Sequence, residues 1–240
     1  MTTLFIQSVP LTVHLPSLNT STHEQFYEFC QANPDLRIER TAQGEVIVMP
    51  PTFSDTGNRN FKVSAQLSVW AEQDGTGEGF DSSAGFTLPN GAIRSPDASW
   101  IKLDRWNALT SQQKASFAPI CPDFVIELRS ASDSLTTLQD KMQEYLDNGA
   151  RLGLLIDRQN RTIHVYRSGL APEILNDPES VSGEPELPGF TLQIGKYLVT
   201  SLAMIGNRSI DHQKQTPEQK PTAEDVRVRG LRRSSSEFGS

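Results

Sequence analysis

The sequence predicts an α/β (α+β) fold in which a mixed central sheet is flanked by helices, entered through a helix and a β-hairpin. Three observations lead there. Helical-period and extended stretches intermix up to about residue 200. Phe124-Val-Ile-Glu-Leu128 is a continuous apolar run broken by one carboxylate, the pattern of a central buried strand. The 240 residues are 36% apolar and 21% charged, enough to bury a core and unlike a disordered chain.

In chain order, Ser21 followed by Glu24 is a capping-box signature before Phe26, Phe29 and Cys30, which predicts a helix over 22–33. Leu36–Arg40 and Glu45–Met49 alternate around Ala42-Gln43-Gly44 and predict a hairpin. Between Ser54 and Asp74, Phe61, Ala65, Leu67/Ser68 and Val69 follow a helical period that stops before Gly75. Extended segments at 78–89 and 92–103 flank Asn90-Gly91, a tight-turn signal, and are expected to be adjacent antiparallel strands. Residues 104–116 read as short helical turns. Leu135, Leu138, Met142, Tyr145 and Leu146 share one face of an amphipathic helix over 135–148, ended by Asn148-Gly149. Leu152–Asp157 and Thr162–Arg167 are two more strands, and short strands complete the domain near residue 200.

The net charge of −7 counts against a protein that coats nucleic acid through its whole surface. The charge is uneven: residues 208–240 carry net +2 and the remainder net −9. One domain is therefore expected over 1–205. Residues 206–240, rich in Gln, Pro and Ser, are expected to be a disordered polar tail whose last residues resemble a cloning scar. Two cysteines, Cys30 and Cys121, cannot make a disulfide framework or a four-cysteine zinc site. With no targeting pattern and no long apolar stretch, the chain reads as soluble and cytoplasmic, with no membrane partner.

Asp97 follows Pro96 in the second extended segment, and Glu127 lies in the central strand. On neighbouring strands the two carboxylates would converge, repel and raise each other's pKa unless a cation is supplied. A divalent metal, Mg²⁺ or Mn²⁺, would relieve that repulsion. An ion pair of Glu127 with Arg129 or Lys141 would also neutralise it, and spacing leaves both readings open. Arg129 stands two residues beyond Glu127, on the same strand face. Lys141 and Tyr145 are four apart and share a helix face. Cations beside paired carboxylates are what phosphoryl chemistry uses, with Lys141 or water, not a guanidinium, moving protons.

Pro96-Asp97, Pro122-Asp123-Phe-Val-Ile-Glu127-Leu-Arg129-Ser130, Lys141-Met-Gln-Glu-Tyr145 and Leu155-Ile-Asp157 together resemble the Uma-type restriction-endonuclease-like family of the PD-(D/E)XK nucleases. The resemblance covers about residues 20–200, including Gly44-Glu45 and Met49-Pro-Pro51. It implies a restriction-endonuclease-like fold, a nucleic-acid substrate (DNA first), Mg²⁺ or Mn²⁺, and a homodimer for cutting two strands. It also implies that Asp97 and Glu127 are the metal carboxylates, and that Arg129 and Lys141 complete the catalytic set. Arg129 stands where the superfamily has lysine, and the resemblance gives that role to Lys141. Glu45 matches a family Gly-Glu position but is expected to be an exposed hairpin residue. The competing expectation is a degenerate nuclease fold kept as a nucleic-acid or protein binding module.

His14, His23, His164 and His212 show no metal-ligand spacing, and His164 is expected to be a satisfied strand histidine. Neither cysteine has a cationic neighbour that would activate it. Gly75-Thr-Gly-Glu-Gly79 follows a helix and lacks a phosphate-loop Lys, so it reads as a loop.

Overall fold

Every residue of Phe124–Leu128 is buried, because this strand is covered on both sides by helices and loops. The computed structural model describes residues 11–13, 23–49 and 51–195. Its elements begin with β1 (Leu11–Val13), α1 (His23–Ala32), β2 (Arg37–Arg40), β3 (Val46–Met49) and α2 (Ser54–Asp74). There follow β4 (Gly77–Asp81), β5 (Phe86–Thr87), β6 (Ile93–Arg94), β7 (Ala98–Lys102), α3 (Leu103–Asn107) and α4 (Ser111–Lys114). Then come β8 (Phe124–Leu128), α5 (Leu135–Asp147), β9 (Leu152–Asp157) and β10 (Thr162–Arg167). The last are β11 (Glu173–Asn176), β12 (Ser180–Ser182) and β13 (Thr191–Gln193).

Six strands form one sheet in the order β11-β10-β9-β8-β7-β4. Within it β8 and β9 are parallel, as the α5 crossover between them requires, and the other neighbours are antiparallel. The mixed sheet flanked by helices is the architecture expected from the sequence. A second sheet, in the order β1-β3-β2-β6-β5, is antiparallel throughout. β12 and β13 pair separately.

The strand alternation sorts the core into layers. Phe124, Ile126 and Leu128 pack with Val63, Leu67 and Ala71 of α2. Val125 and Leu155 pack on the other side with Met142 and Tyr145 of α5. By the same period, Glu127 falls on the α5 side. A Cβ at Gly153 of β9 would lie 2.3 Å from Met142 Cε, so glycine there lets α5 settle close on the sheet. Ser134 caps α5 by accepting from Thr137 N. Gly75 ends α2 in the left-handed region, φ 67°, with its N–H on Ala71 O at 2.9 Å.

Two expectations are corrected. Phe61 and Val69 do not form the packed face of α2: they are 73% and 56% exposed. The buried stripe is Thr56, Arg59, Val63, Leu67 and Ala71. Phe61 and Val69 lie two residues out of phase with it, about 200° round the helix and so on its far side.

The segments 78–89 and 92–103 do pair antiparallel, but in two different sheets. Beside the Asn90-Gly91 turn, β5 and β6 join the smaller sheet, while β4 and β7 join the larger. A turn before β5 and Pro96 before β7, which lacks a ladder N–H, divide the long hairpin. The other expected elements form where the sequence places them.

Ser21, Pro50, His14, His212 and the tail at 206–240 lie outside the described residues. Among the described residues, no helix is long and apolar enough to cross a membrane.

Candidate active site

The two sheets meet at a buried cluster of charge. Asp97 stands one residue before β7, and the β7–β8 register pairs Ala98 with Ile126. One step further along that register, Asp97 faces Glu127. Asp97 Oδ2 accepts from Leu128 N at 2.8 Å, and its Oδ1 accepts from Asn60 Nδ2 at 2.9 Å. Arg37 lies 3.6 Å from the same Oδ1 and donates to Ser95 O.

Glu127 is 5% exposed. From α5, Lys141 Nζ reaches its Oε1 at 2.8 Å and Tyr145 donates its hydroxyl to the same oxygen at 3.1 Å. The shared face of Lys141 and Tyr145 therefore exists, and it is aimed at Glu127. Lys141 bridges to a second carboxylate, Glu39 of β2, at 2.9 Å. Glu39 also pairs with Arg94 at 3.2 Å and accepts from Ser95 N, and Arg94 in turn meets Glu144 at 2.6 Å. The cluster is thus built from β2 and β6 of one sheet, β8 of the other, and α5.

The four sequence-derived residues do not converge equally. Asp97, Glu127 and Lys141 belong to one neighbourhood. Arg129 is bound elsewhere: its Nη1 pairs with buried Asp157 at 2.9 Å, and its Nε donates to Asp133 O at 3.1 Å. Of the two cationic partners considered for Glu127, Lys141 makes the ion pair. The second Pro-Asp, at Asp123, is structural, accepting from Lys102 N and pairing with Arg105.

The hairpin acid in the cluster is Glu39, 2% exposed, and not Glu45, which lies half-buried beside the Gly44 turn. Glu39, Arg94 and Glu144 were not singled out in the sequence. The available signal was a carboxylate beside Ile38 in an apolar-polar alternation, which any half-exposed strand shows.

Burial is the largest single influence on protonation here; it sets the direction at Glu127 and Tyr145, and neighbouring charges reverse it at Glu39 and Lys141. It pushes the Glu127 carboxyl up to about 7; Lys141 opposes the rise, while the charges of Asp97 and Glu39 add to it. Burial also works against Glu39, but Lys141 and Arg94 outweigh it and hold that carboxyl below the usual range. Burial works against the Lys141 ammonium too, yet Glu127 and Glu39 more than compensate and raise it. Burial, then the Glu127 charge, moves the Tyr145 hydroxyl well above its ordinary value, so it acts as a donor.

One pH effect follows. Because the folded-state value of Glu127 lies above the unfolded one, its stability contribution is full below about pH 4.5 and is lost as pH rises through about 7. At about 1.4 kcal/mol per pKa unit, the span is on the order of 3 kcal/mol. Urea unfolding should therefore show Glu127→Gln gaining on the wild type by up to that amount between pH 5 and pH 8. A constant difference would contradict the buried, uncomfortably charged Glu127.

Asp97 and Glu127 offer the hard oxygen donors that a divalent cation takes. Glu39, Glu127 and Glu144 share only Lys141 and Arg94 among the ion pairs of this network, so one negative charge is left over. Among the described residues, no three His, Cys, Asp or Glu side chains are grouped to hold a metal. A cation here would rest on Asp97 and Glu127 and keep several waters, as Mg²⁺ does.

His164 is buried, with Gln139 and Thr162 beside its ring nitrogens. Burial pushes the Cys30 thiol up to about 11 and the Cys121 thiol up to about 12, so neither is a thiolate at neutral pH.

The fold is similar to the crystal structure of a "putative nuclease belonging to DUF820" from Anabaena variabilis ATCC 29413. The TM-score is 0.62 at 20% identity, over 75% of this chain and 99% of that one. No curated protein matches the chain. Residues 23–195 match the family described as Uma2, "Putative restriction endonuclease", a span that contains both sheets' contributions to the cluster. The chain belongs to the Uma2 family.

Proposed function

We propose that the protein is a Mg²⁺- or Mn²⁺-dependent endonuclease that hydrolyses phosphodiester bonds in DNA, with Asp97 and Glu127 holding the metal. The observation that carries this reading is the convergence of Asp97, Glu127 and Lys141 within a network whose carboxylates, Asp97, Glu127, Glu39 and Glu144, exceed its cations, Arg37, Lys141 and Arg94, by one. Bound there, the ion would lower the pKa of a coordinated water and neutralise phosphate charge.

The chain's own residues do the rest. Leu128 N and Asn60 fix the Asp97 carboxylate from two sides. Tyr145 and Lys141 orient Glu127. Lys141, fully protonated between two carboxylates, stabilises charge that develops on the phosphate. Arg129, paired with Asp157, stands outside this set and moves no proton.

The acidic surface makes this local set necessary, since the protein as a whole repels a polyanion. In the same reading the domain spans 1–205, with 206–240 as a polar extension. The protein works in the cytoplasm, and two copies join to cut both strands.

The binding-module alternative draws support from one observation: Lys141 already neutralises Glu127 at 2.8 Å. Supercoiled plasmid separates the two. The endonuclease should convert it to nicked and linear forms in Mg²⁺ or Mn²⁺ and stop on addition of EDTA. Intact plasmid with either metal, or cleavage that ignores EDTA, would overturn the proposal.

A further inference from the structure

Asn60 makes an unusual use of its amide. Its Nδ2 donates to Asp97 Oδ1 at 2.9 Å, while its Oδ1 is buried and accepts no hydrogen bond from the protein. A buried acceptor without a donor is uncommon and calls for a physical reason. Exchanging the amide oxygen and nitrogen does not remove the problem. It would set two acceptor oxygens against each other at 2.9 Å and leave the NH₂ group as the orphan.

Both atoms belong to one rigid amide, so the unpartnered oxygen sits one amide group away from the contact with Asp97. Its place is set by α2, whose Thr56, Arg59 and Val63 are buried around it and fix the helix on the core. Arg37, the other group at Asp97 Oδ1, points its guanidinium at that oxygen from 3.6 Å and is also tied to Ser95 O. An ionised carboxylate and, across one amide group, an oxygen lacking a donor match a hard cation that retains its water.

We propose that Asn60 is a positioning residue of the metal site: Nδ2 orients Asp97, and Oδ1 accepts a hydrogen bond from a water on the divalent cation. This rests on the metal reading of the preceding subsection. Outer partners of this kind change metal affinity by about 10–100-fold.

The test is Mn²⁺ titration of the full chain by calorimetry, with melting temperatures taken in EDTA. Asn60→Ala should bind Mn²⁺ about tenfold more weakly while melting with the wild type. Asn60→Asp, which keeps the acceptor oxygen and loses the donor, should bind at wild-type strength or tighter. Asn60→Ala binding as the wild type overturns the inference. So does Asn60→Asp binding as weakly as Asn60→Ala, because only the bond to Asp97 would then matter. Should Asn60→Ala fail to fold, Asn60→Asp decides alone: binding about tenfold weaker than the wild type overturns the inference. A wild type that binds no Mn²⁺ overturns the metal reading together with this one. Binding that is lost in Asp97→Asn and unchanged in Asn60→Ala overturns this one alone.

Discussion

Replacing Lys141 by Met is expected to cost about 3–5 kcal/mol of stability at neutral pH, the scale for removing one partner of a buried ion pair. Lys141 Nζ lies within 2.9 Å of both Glu39 and Glu127, and both carboxylates are almost wholly buried. Met fills much of the same volume, so a loss reports the charge and not a cavity. Glu39 keeps Arg94 and Ser95 N, whereas Glu127 keeps only the Tyr145 hydroxyl among its hydrogen bonds and ion pairs in this cluster. The penalty should therefore shrink on acidification. Glu127 already tends to hold its proton at about 7, and without Lys141 it protonates still more readily. Urea unfolding at pH 5 and pH 8 measures both effects. A Lys141→Met protein as stable as the wild type at pH 8 would show that the network contributes nothing to folding.

Asp97→Asn is expected to slow plasmid cleavage at least about 100-fold, because the cation that Asp97 would hold supplies the transition-state stabilisation, and losing one such contribution is on that scale. The fold should be left standing. The substitution keeps an oxygen for Leu128 N, which Asp97 Oδ2 now serves at 2.8 Å. What it removes is a charge whose ion-pair partner, Arg37, is 3.6 Å away and partly exposed, a weak pair. It also removes a repulsion, since the Asp97 charge is one of the causes that raise Glu127. Activity and stability should therefore part company in this variant. A residue serving only the fold would move both together.

The parts of this architecture that were readable from the sequence are those in which neighbours along the chain decide the outcome. The α2 bounds, Ser54–Asp74, follow from a helical period closed by Gly75. The burial of Phe124–Leu128 follows from its unbroken apolar run, and the α5 face from Met142 and Tyr145 at helical spacing. Glu127 and Lys141 stood out for a local reason as well, a charge set in an apolar strand and a cation on an amphipathic helix.

What stayed hidden depends on distant residues. Glu39 finds its partners in Arg94 and Lys141, 55 and 102 positions away. The alternation around Ile38 says which way a side chain points, not that a second sheet docks on that face. Arg129 was placed by period two on the Glu127 face, yet Asp157, 28 residues further on, takes its guanidinium. The packed side of α2 could not be chosen between two stripes of similar period, because only the sheet beneath it distinguishes Val63 and Leu67 from Phe61 and Val69.

That Asp97, Glu127 and Lys141 form a metal-dependent hydrolytic centre is tested most directly by one comparison. It is the initial rate of supercoiled plasmid cleavage in Mn²⁺ by the wild type and by Asp97→Asn at equal concentration, both shown to melt alike. The expected result is cleavage by the wild type and a rate at least about 100-fold lower for the variant. Equal rates from the two proteins would contradict the assignment, because cleavage would then arise without the carboxylate at the centre of the site.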